Sequence, residues 1–243
     1  MTISIIIPTY NEAGYIGKLV QYLVANNDGS IVDIIVCDGG SDDDTLTMAA
    51  NAGVTVIIAP TKRRSVQLNY GASQAKGEVL YFIHADTQPP QTFIKDIREA
   101  ISDEFVLGRY KTKFDSGKMI LHINAWLTRF DIFICMGGDQ TLFIERKLFE
   151  QCKGFNEEML IMEEYEFCER ARKLGKYKIL KGEVLVSARK YDRNSWLTVQ
   201  LANLKIVRMY KKGVTQKELY DTYCNMLNQP PLNKENKQIK EQE

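Results

Sequence analysis

Short apolar runs and helical periodicities alternate along the first 110 residues. Residues 3–7, 31–37, 54–58, 79–83 and 105–107 are continuous apolar stretches rich in β-branched side chains. Such runs suit strands covered on both faces of a parallel sheet. Between the first two, Ile16, Leu19, Val20, Leu23 and Val24 recur at helical spacing behind Asn11, the expected cap. A second helix is expected from Ser41-Asp42-Asp43-Asp44, which reads as a capping box. Two more are expected over residues 65–75 and 90–101. Strands alternating with helices make βαβ units, hence an α/β fold with a mostly parallel central sheet flanked by helices.

The second half is less regular. A helix is expected over 118–130, with Ile120, Ile123, Leu127 and Phe130 on one face, ended by Gly137-Gly138-Asp139. A strand over 141–145, a helix over 163–174 and two short strands at 177–180 and 184–186 follow. Helices near 196–210 and 215–227 close the fold. From Asn228 the chain is polar and reads as a frayed tail. No internal repeat or linker interrupts the pattern. One domain over 1–227 is therefore expected, with a nucleotide-binding half (1–110), an acceptor half (111–227) and a tail at 228–243.

Composition narrows the class. Of 243 residues, 44% are apolar and 26% charged, ordinary for a globular chain and unlike a disordered or collagen-like one. Net charge is +1, from 32 basic and 31 acidic residues, which argues against a nucleic-acid partner. Cys37, Cys135, Cys152, Cys168 and Cys224 show no metal-finger spacing and read as reduced core thiols of a cytoplasmic protein. No signal-peptide pattern opens the chain, and no apolar stretch is long enough to span a bilayer.

In an open parallel sheet, ligands bind beyond the carboxyl ends of the strands. Three strand ends here carry Asn11, Glu12, Asp38 and Asp86. Capping accounts for Asn11 and Ser41 in part, but less for Asp38 and Asp86, which follow apolar strands directly. Neither a G-x-G-x-x-G nor a G-x-x-x-x-G-K-S/T motif is present. An acidic edge binds phosphate through a hard divalent cation, Mn²⁺ or Mg²⁺. Asp86 is a candidate ligand. His84 joins it if strand alternation turns both the same way; otherwise it is a hydrogen-bonded structural histidine. Glu163-Glu164 opens a helix after the apolar Met159-Leu160-Ile161-Met162. The pair is either a favourable dipole partner or a partly desolvated general base.

These residues resemble the family 2 glycosyltransferases, inverting enzymes of the GT-A fold. Ser4 through Glu12 looks like the opening strand of that family. Asp38-Gly39-Gly40-Ser41-Asp42-Asp43-Asp44-Thr45 is similar to its D-G-x-S-x-D-x-T motif. Asn69 through Gly77 resembles its next helix, and His84-Ala85-Asp86 stands where its D-x-D stands. Gly138-Asp139-Gln140, Phe155 and Met162-Glu163-Glu164 look like its acceptor side. The His-Ala-Asp form, with Ser187-Ala188-Arg189 and no membrane helices, resembles a small soluble subgroup.

The resemblance implies a nucleotide-sugar donor, UDP-linked. Pro8, Thr9, Asn11, Glu12 and Asp38 would hold its base and ribose, and Arg64 would lie by the base or diphosphate. Asp86, with His84, would hold the metal. Asp139 and Gln140 would belong to the substrate site. Glu163 and Glu164 would supply the base, Glu164 replacing the family's usual Asp. No Q-x-x-R-W motif follows, so the resemblance implies transfer of a single sugar rather than polymerisation. One carboxylate suffices, because a cation-stabilised nucleoside diphosphate leaves without a general acid; a glycosidase needs two.

Residues 189–212 carry seven basic side chains against Asp192, interleaved with apolar ones. That segment suits a core-packed helix with a solvated basic face, or a lipid-linked or phosphorylated acceptor at a membrane surface. The helix over 118–130, with Trp126, poses the same choice. The alternatives to a transferase are a nucleotide-sugar-binding protein without catalysis and a nucleotidyltransferase. The latter normally needs a basic loop after the first strand, and Thr9-Tyr10-Asn11-Glu12-Ala13-Gly14 has no cation.

Overall fold

The computed structural model describes residues 1–133 and 140–227. Asp139, Cys135 and the tail at 228–243 lie outside the described residues. Four parallel strands occupy one half of the sheet: β1 (Ile3–Thr9), β2 (Ile31–Asp38), β3 (Thr55–Ile58) and β4 (Val79–Phe82). The helices α1 (Ala13–Ala25), α2 (Thr45–Asn51) and α3 (Arg64–Gln74) connect them. Further along lie β5 (Thr87–Gln88), α4 (Phe93–Ser102), β6 (Leu107–Asp115), α5 (Met119–Leu127), β7 (Leu142–Glu145), α6 (Arg146–Gln151), α7 (Glu163–Ala171) and β8 (Tyr177–Ser187). The sheet order is β3-β2-β1-β4-β7-β6-β8-β5. It is parallel from β3 to β4 and mixed beyond, where β7 runs against both β4 and β6.

The strand period of two divides the core. Ile3, Ile5 and Ile7 are fully buried on one face with Leu19 and Val20 of α1 and Phe93 of α4. Each such side chain stabilises the fold by roughly 1.5–3 kcal/mol. Ile6 points to the other face, where Gly71 of α3 approaches so closely that a Cβ there would lie 2.6 Å from Ile6 Cγ2. Phe82, Phe149, Phe155 and Phe167 form a ring cluster with centroids 4.5–5.7 Å apart.

Several expectations are corrected. Tyr177–Ser187 is one strand, not two. Its register with β6 slips between Arg109 and Lys111, because Ile179 and Glu183 face them, so Leu180–Gly182 bulges. β6 runs on through alternating polar residues to Asp115. The described chain separates into two compact units, residues 1–157 with 163–187, and residues 158–162 with 188 onward. Neither expected side-chain cap forms: Glu12 and Asp44 are the first-turn boundaries of α1 and α2, without cap bonds.

The second unit is helical: α8 (Arg189–Arg193), α9 (Trp196–Lys211) and α10 (Gln216–Met226). Ser195 and Thr215 cap α9 and α10 by accepting from Thr198 N–H (3.1 Å) and Glu218 N–H (3.3 Å). Val199, Ala202, Ile206 and Val207 of α9 are buried. Among the described residues, no helix is long and apolar enough to cross a membrane.

Candidate functional site

Because β3, β2, β1 and β4 are parallel, their carboxyl ends share one edge. In sheet order that edge carries Lys62–Arg64 after β3, Asp38–Asp44 after β2, Thr9–Glu12 after β1 and His84–Asp86 after β4. Gln140, just ahead of antiparallel β7, joins them, since Leu142 pairs with Phe82.

Asp38 organises the first part. It is fully buried, and both carboxylate oxygens are used. Gly40 and Ser41 N–H donate to Oδ1 at 2.8 and 2.7 Å. Thr9 Oγ1 and Ser41 Oγ donate to Oδ2 at 2.9 and 2.6 Å. The expected direct contact of Asp38 with a ligand therefore has no exposed atom here; its bonds shape the loop. Thr9 is buried with it, and its carbonyl accepts from Gly39 N–H and Gln67 Nε2. Asn11 is exposed and holds a left-handed φ of 55°, a conformation that Asn tolerates. Its Oδ1 accepts from Asp42 N–H, while its own N–H donates to Ser41 Oγ. Glu12 N–H donates to Thr45 Oγ1 at 2.7 Å. Asp43 accepts from Ala13 N–H at the start of α1 and from Thr45. Desolvation is the largest single influence and raises its carboxyl, but the bonds from Thr45 and Ala13 together outweigh it and hold the group below the usual range.

The second part is a charged cluster. Arg64 Nη2 donates to Glu164 Oε1 and to His84 Nε2. Arg64 Nε lies 3.3 Å from Glu163 Oε1, and His84 Nε2 lies 3.8 Å from Glu164 Oε1. Glu163 is buried and Glu164 largely so. Three of the expected site regions, residues 64, 84 and 163–164, thus meet. The chain turns at 84–87, with Thr87 N–H bonded to His84 carbonyl, so His84 and Asp86 lie in a turn beyond β4, where strand alternation does not apply. His84 Nε2 faces Arg64 instead. Among the described residues, no three His, Cys, Asp or Glu side chains converge as a ready-made metal site.

Glu164, Gln140 and Leu142 form the wall between two small cavities. One is lined by Pro8, Arg64, Leu68, His84 and Phe155. The other is lined by Arg109, Thr141, Tyr165, Cys168 and Tyr177. Among the described residues, Arg109 Nε and Tyr177 Oη are buried there without a hydrogen-bond partner. Buried polar atoms of that kind call for a water or a ligand group. Desolvation by burial raises the Tyr177 hydroxyl, and it pushes the Cys168 thiol to about 12.

The sequence reading missed several of these residues. Lys62 lies over the Tyr10 ring, 3.4 Å from its centroid, beside the Asp38 loop's edge. The run Lys62-Arg63-Arg64 after an apolar strand was the available signal. Arg109 and Tyr177 carried none, being polar residues within strands.

The comparisons with known proteins agree with this architecture. Residues 4–159 match the family described as Glycosyl transferase family 2. A glucosyl-3-phosphoglycerate synthase from Mycolicibacterium paratuberculosis is 29% identical over 97 residues, 37% of this chain and 30% of that one. An undecaprenyl-phosphate 4-deoxy-4-formamido-L-arabinose transferase from Sodalis glossinidius is 32% identical over 116 residues, 44% of this chain and 36% of that one. These alignments span about a third of the curated relatives' length. Among solved structures, S. aureus TarS bound to UDP-GlcNAc superposes with a TM-score of 0.63 at 19% identity, over 94% of this chain and 72% of that one. Glucosyl-3-phosphoglycerate synthase from Mycobacterium tuberculosis, with Mn²⁺, UDP and phosphoglyceric acid, gives 0.58 at 17%, over 95% and 80%. The fold is GT-A. With most of the first unit matched, the chain belongs to glycosyl transferase family 2.

Proposed function

We propose that the chain is an inverting glycosyltransferase that moves one sugar from a UDP-linked donor to an acceptor hydroxyl. The observation that carries this reading is the meeting of Arg64, His84, Glu163 and Glu164 at the carboxyl edge of the parallel strands. The donor's nucleoside would lie along the loops after β1 and β2, against Pro8, Asn11 and Glu12. Thr9 and Asp38 would set the shape of those loops from beneath. Lys62 and Arg64 would face the diphosphate.

Asp86 would hold the divalent cation. A single carboxylate fits Mg²⁺ or Mn²⁺, which fill their remaining positions with phosphate oxygens and water. This also accounts for the lack of a three-ligand cluster among the described residues. When bound, the cation would stabilise charge on the departing nucleoside diphosphate.

Glu164 would take the proton from the acceptor hydroxyl as the hydroxyl attacks the anomeric carbon from the face opposite the diphosphate. Its position as the wall between two cavities suits that role. The donor would enter on the Arg64 side and the acceptor on the Tyr177 side. Without donor, the Arg64 guanidinium neutralises Glu164. An arriving diphosphate gives Arg64 a stronger anionic partner and frees the base. Gln140 would line the acceptor approach. The Arg64–Glu164 pair also favours a second reading, a donor-binding protein in which the pair is permanent and no turnover occurs. A nucleotidyltransferase is not favoured, since the cations follow β3 rather than β1.

Thermal unfolding with UDP, with and without Mn²⁺, tests the donor site. A ligand at 100 times its dissociation constant adds about 2.7 kcal/mol, or roughly 5–10 °C at this size. The expected result is a shift for UDP that needs Mn²⁺ and disappears in Asp86→Ala. A flat response to UDP, with or without Mn²⁺, would overturn the donor assignment.

A further inference from the structure

The segment from α5 onward leaves an apolar face open to solvent. Met119, Ile123 and Trp126 follow helical spacing, with Ile120 and Leu127 beside them and Phe130 one step beyond. Met119 is 79% exposed, Ile123 53% and Trp126 49%, whereas Leu121 on the opposite side is buried. A continuous exposed stripe of this kind marks an interaction surface. In α9, the other segment whose sequence allowed a lipid contact, Val199, Ala202, Ile206 and Val207 are buried, while Leu197 and Leu201 are exposed.

The stripe is held firmly from behind. Buried Arg109 donates from Nη1 to Thr128 carbonyl at 2.7 Å and from Nη2 to Phe130 carbonyl at 3.3 Å. Thr128 Oγ1 accepts from Thr112 N–H of β6 at 2.9 Å. Arg109 also lines the cavity that Glu164 walls. The face is thus fixed to the strand that borders the candidate acceptor cavity.

Its charge selects the partner. Lys118 precedes α5, and Arg129 packs over the Trp126 ring at 5.4 Å. These two cations flank the stripe at either end, and the acid nearest to them in sequence after α5, Asp131, is paired with Arg172. An apolar stripe with a tryptophan, rimmed by cations, complements an anionic lipid surface. A second copy of the chain would bring those cations against their own equivalents.

We propose that the exposed face of α5 docks on an anionic bilayer surface, with Trp126 in the headgroup layer. The acceptor cavity would then open beside the membrane. This docking does not depend on turnover, so its failure is distinct from failure of the transferase reading.

Trp196→Phe leaves Trp126 as the sole tryptophan. Its fluorescence is read with vesicles of phosphatidylcholine alone and of phosphatidylcholine with phosphatidylglycerol. The expected result is a blue shift and co-sedimentation with the anionic vesicles, weakened by salt. Lys118→Ala should lower partitioning about fivefold. Met119→Ser with Ile123→Ser should lower it about tenfold or more, and both sites are exposed, so the unfolding temperature should be kept. Failure to bind either vesicle would overturn the proposal. So would binding that the double variant leaves unchanged, or a blue shift that grows with protein concentration without lipid, the sign of a second copy.

Discussion

Individual carboxylates in this chain divide into those that build the loops and those that meet Arg64. Asp38 builds: fully buried, it accepts four hydrogen bonds from Thr9, Gly40 and Ser41. Asp38→Ala would strand two backbone N–H groups and two hydroxyls. It should cost about 2–4 kcal/mol, measured by urea unfolding, and abolish UDP binding with it. Motif spacing located Asp38 at the end of β2 but not its burial, because a sequence shows a strand's end and not which atoms of the end are already bonded. The meeting of Arg64 with Glu164 was legible only through family resemblance, since 100 residues separate them. The thiols were legible directly from their apolar surroundings. Burial pushes Cys37 and Cys168 to about 12, which keeps them as neutral thiols. Iodoacetamide at pH 8 should leave both unmodified in the folded chain and label both in guanidinium, as read by peptide mass spectrometry.

At the scale of elements, apolar runs located β1, β2, β3 and β4 closely, because a strand buried on both faces must be apolar throughout. The same criterion shortened β6 and split β8. β6 alternates Arg109, Lys111, Lys113 and Asp115 with Tyr110, Thr112 and Phe114, so half of it is polar. In β8, Lys181-Gly182-Glu183 imitates a turn but forms a bulge, where a Cβ on Gly182 would stand 2.9 Å from the Tyr110 ring. Gly108 is the tightest point between these strands. It pairs with Phe143 on one side and Lys178 on the other, and a Cβ would lie 2.2 Å from Lys178 carbonyl oxygen. Both neighbours are paired strands and cannot yield cheaply. Gly108→Ala should therefore destabilise by about 2–3 kcal/mol, or roughly 5–10 °C. In the helical unit, Thr215→Ala removes the cap of α10 and should cost about 1 kcal/mol, read by the same unfolding measurement.

Across the whole molecule, four parallel strands deliver loops from distant parts of the sequence to one edge, and β7 with α7 bring Gln140 and the two glutamates to meet them. That convergence gives the account its central claim, that Glu164 activates an acceptor for sugar transfer from UDP. The test is UDP release from UDP-glucose and UDP-N-acetylglucosamine with Mn²⁺, water taking the sugar in place of the acceptor hydroxyl, by the unmodified chain and by Glu164→Gln. The account predicts release by the unmodified chain, a fall of about 100- to 10,000-fold in Glu164→Gln, and retained UDP binding in that variant. Equal release by both chains would contradict it.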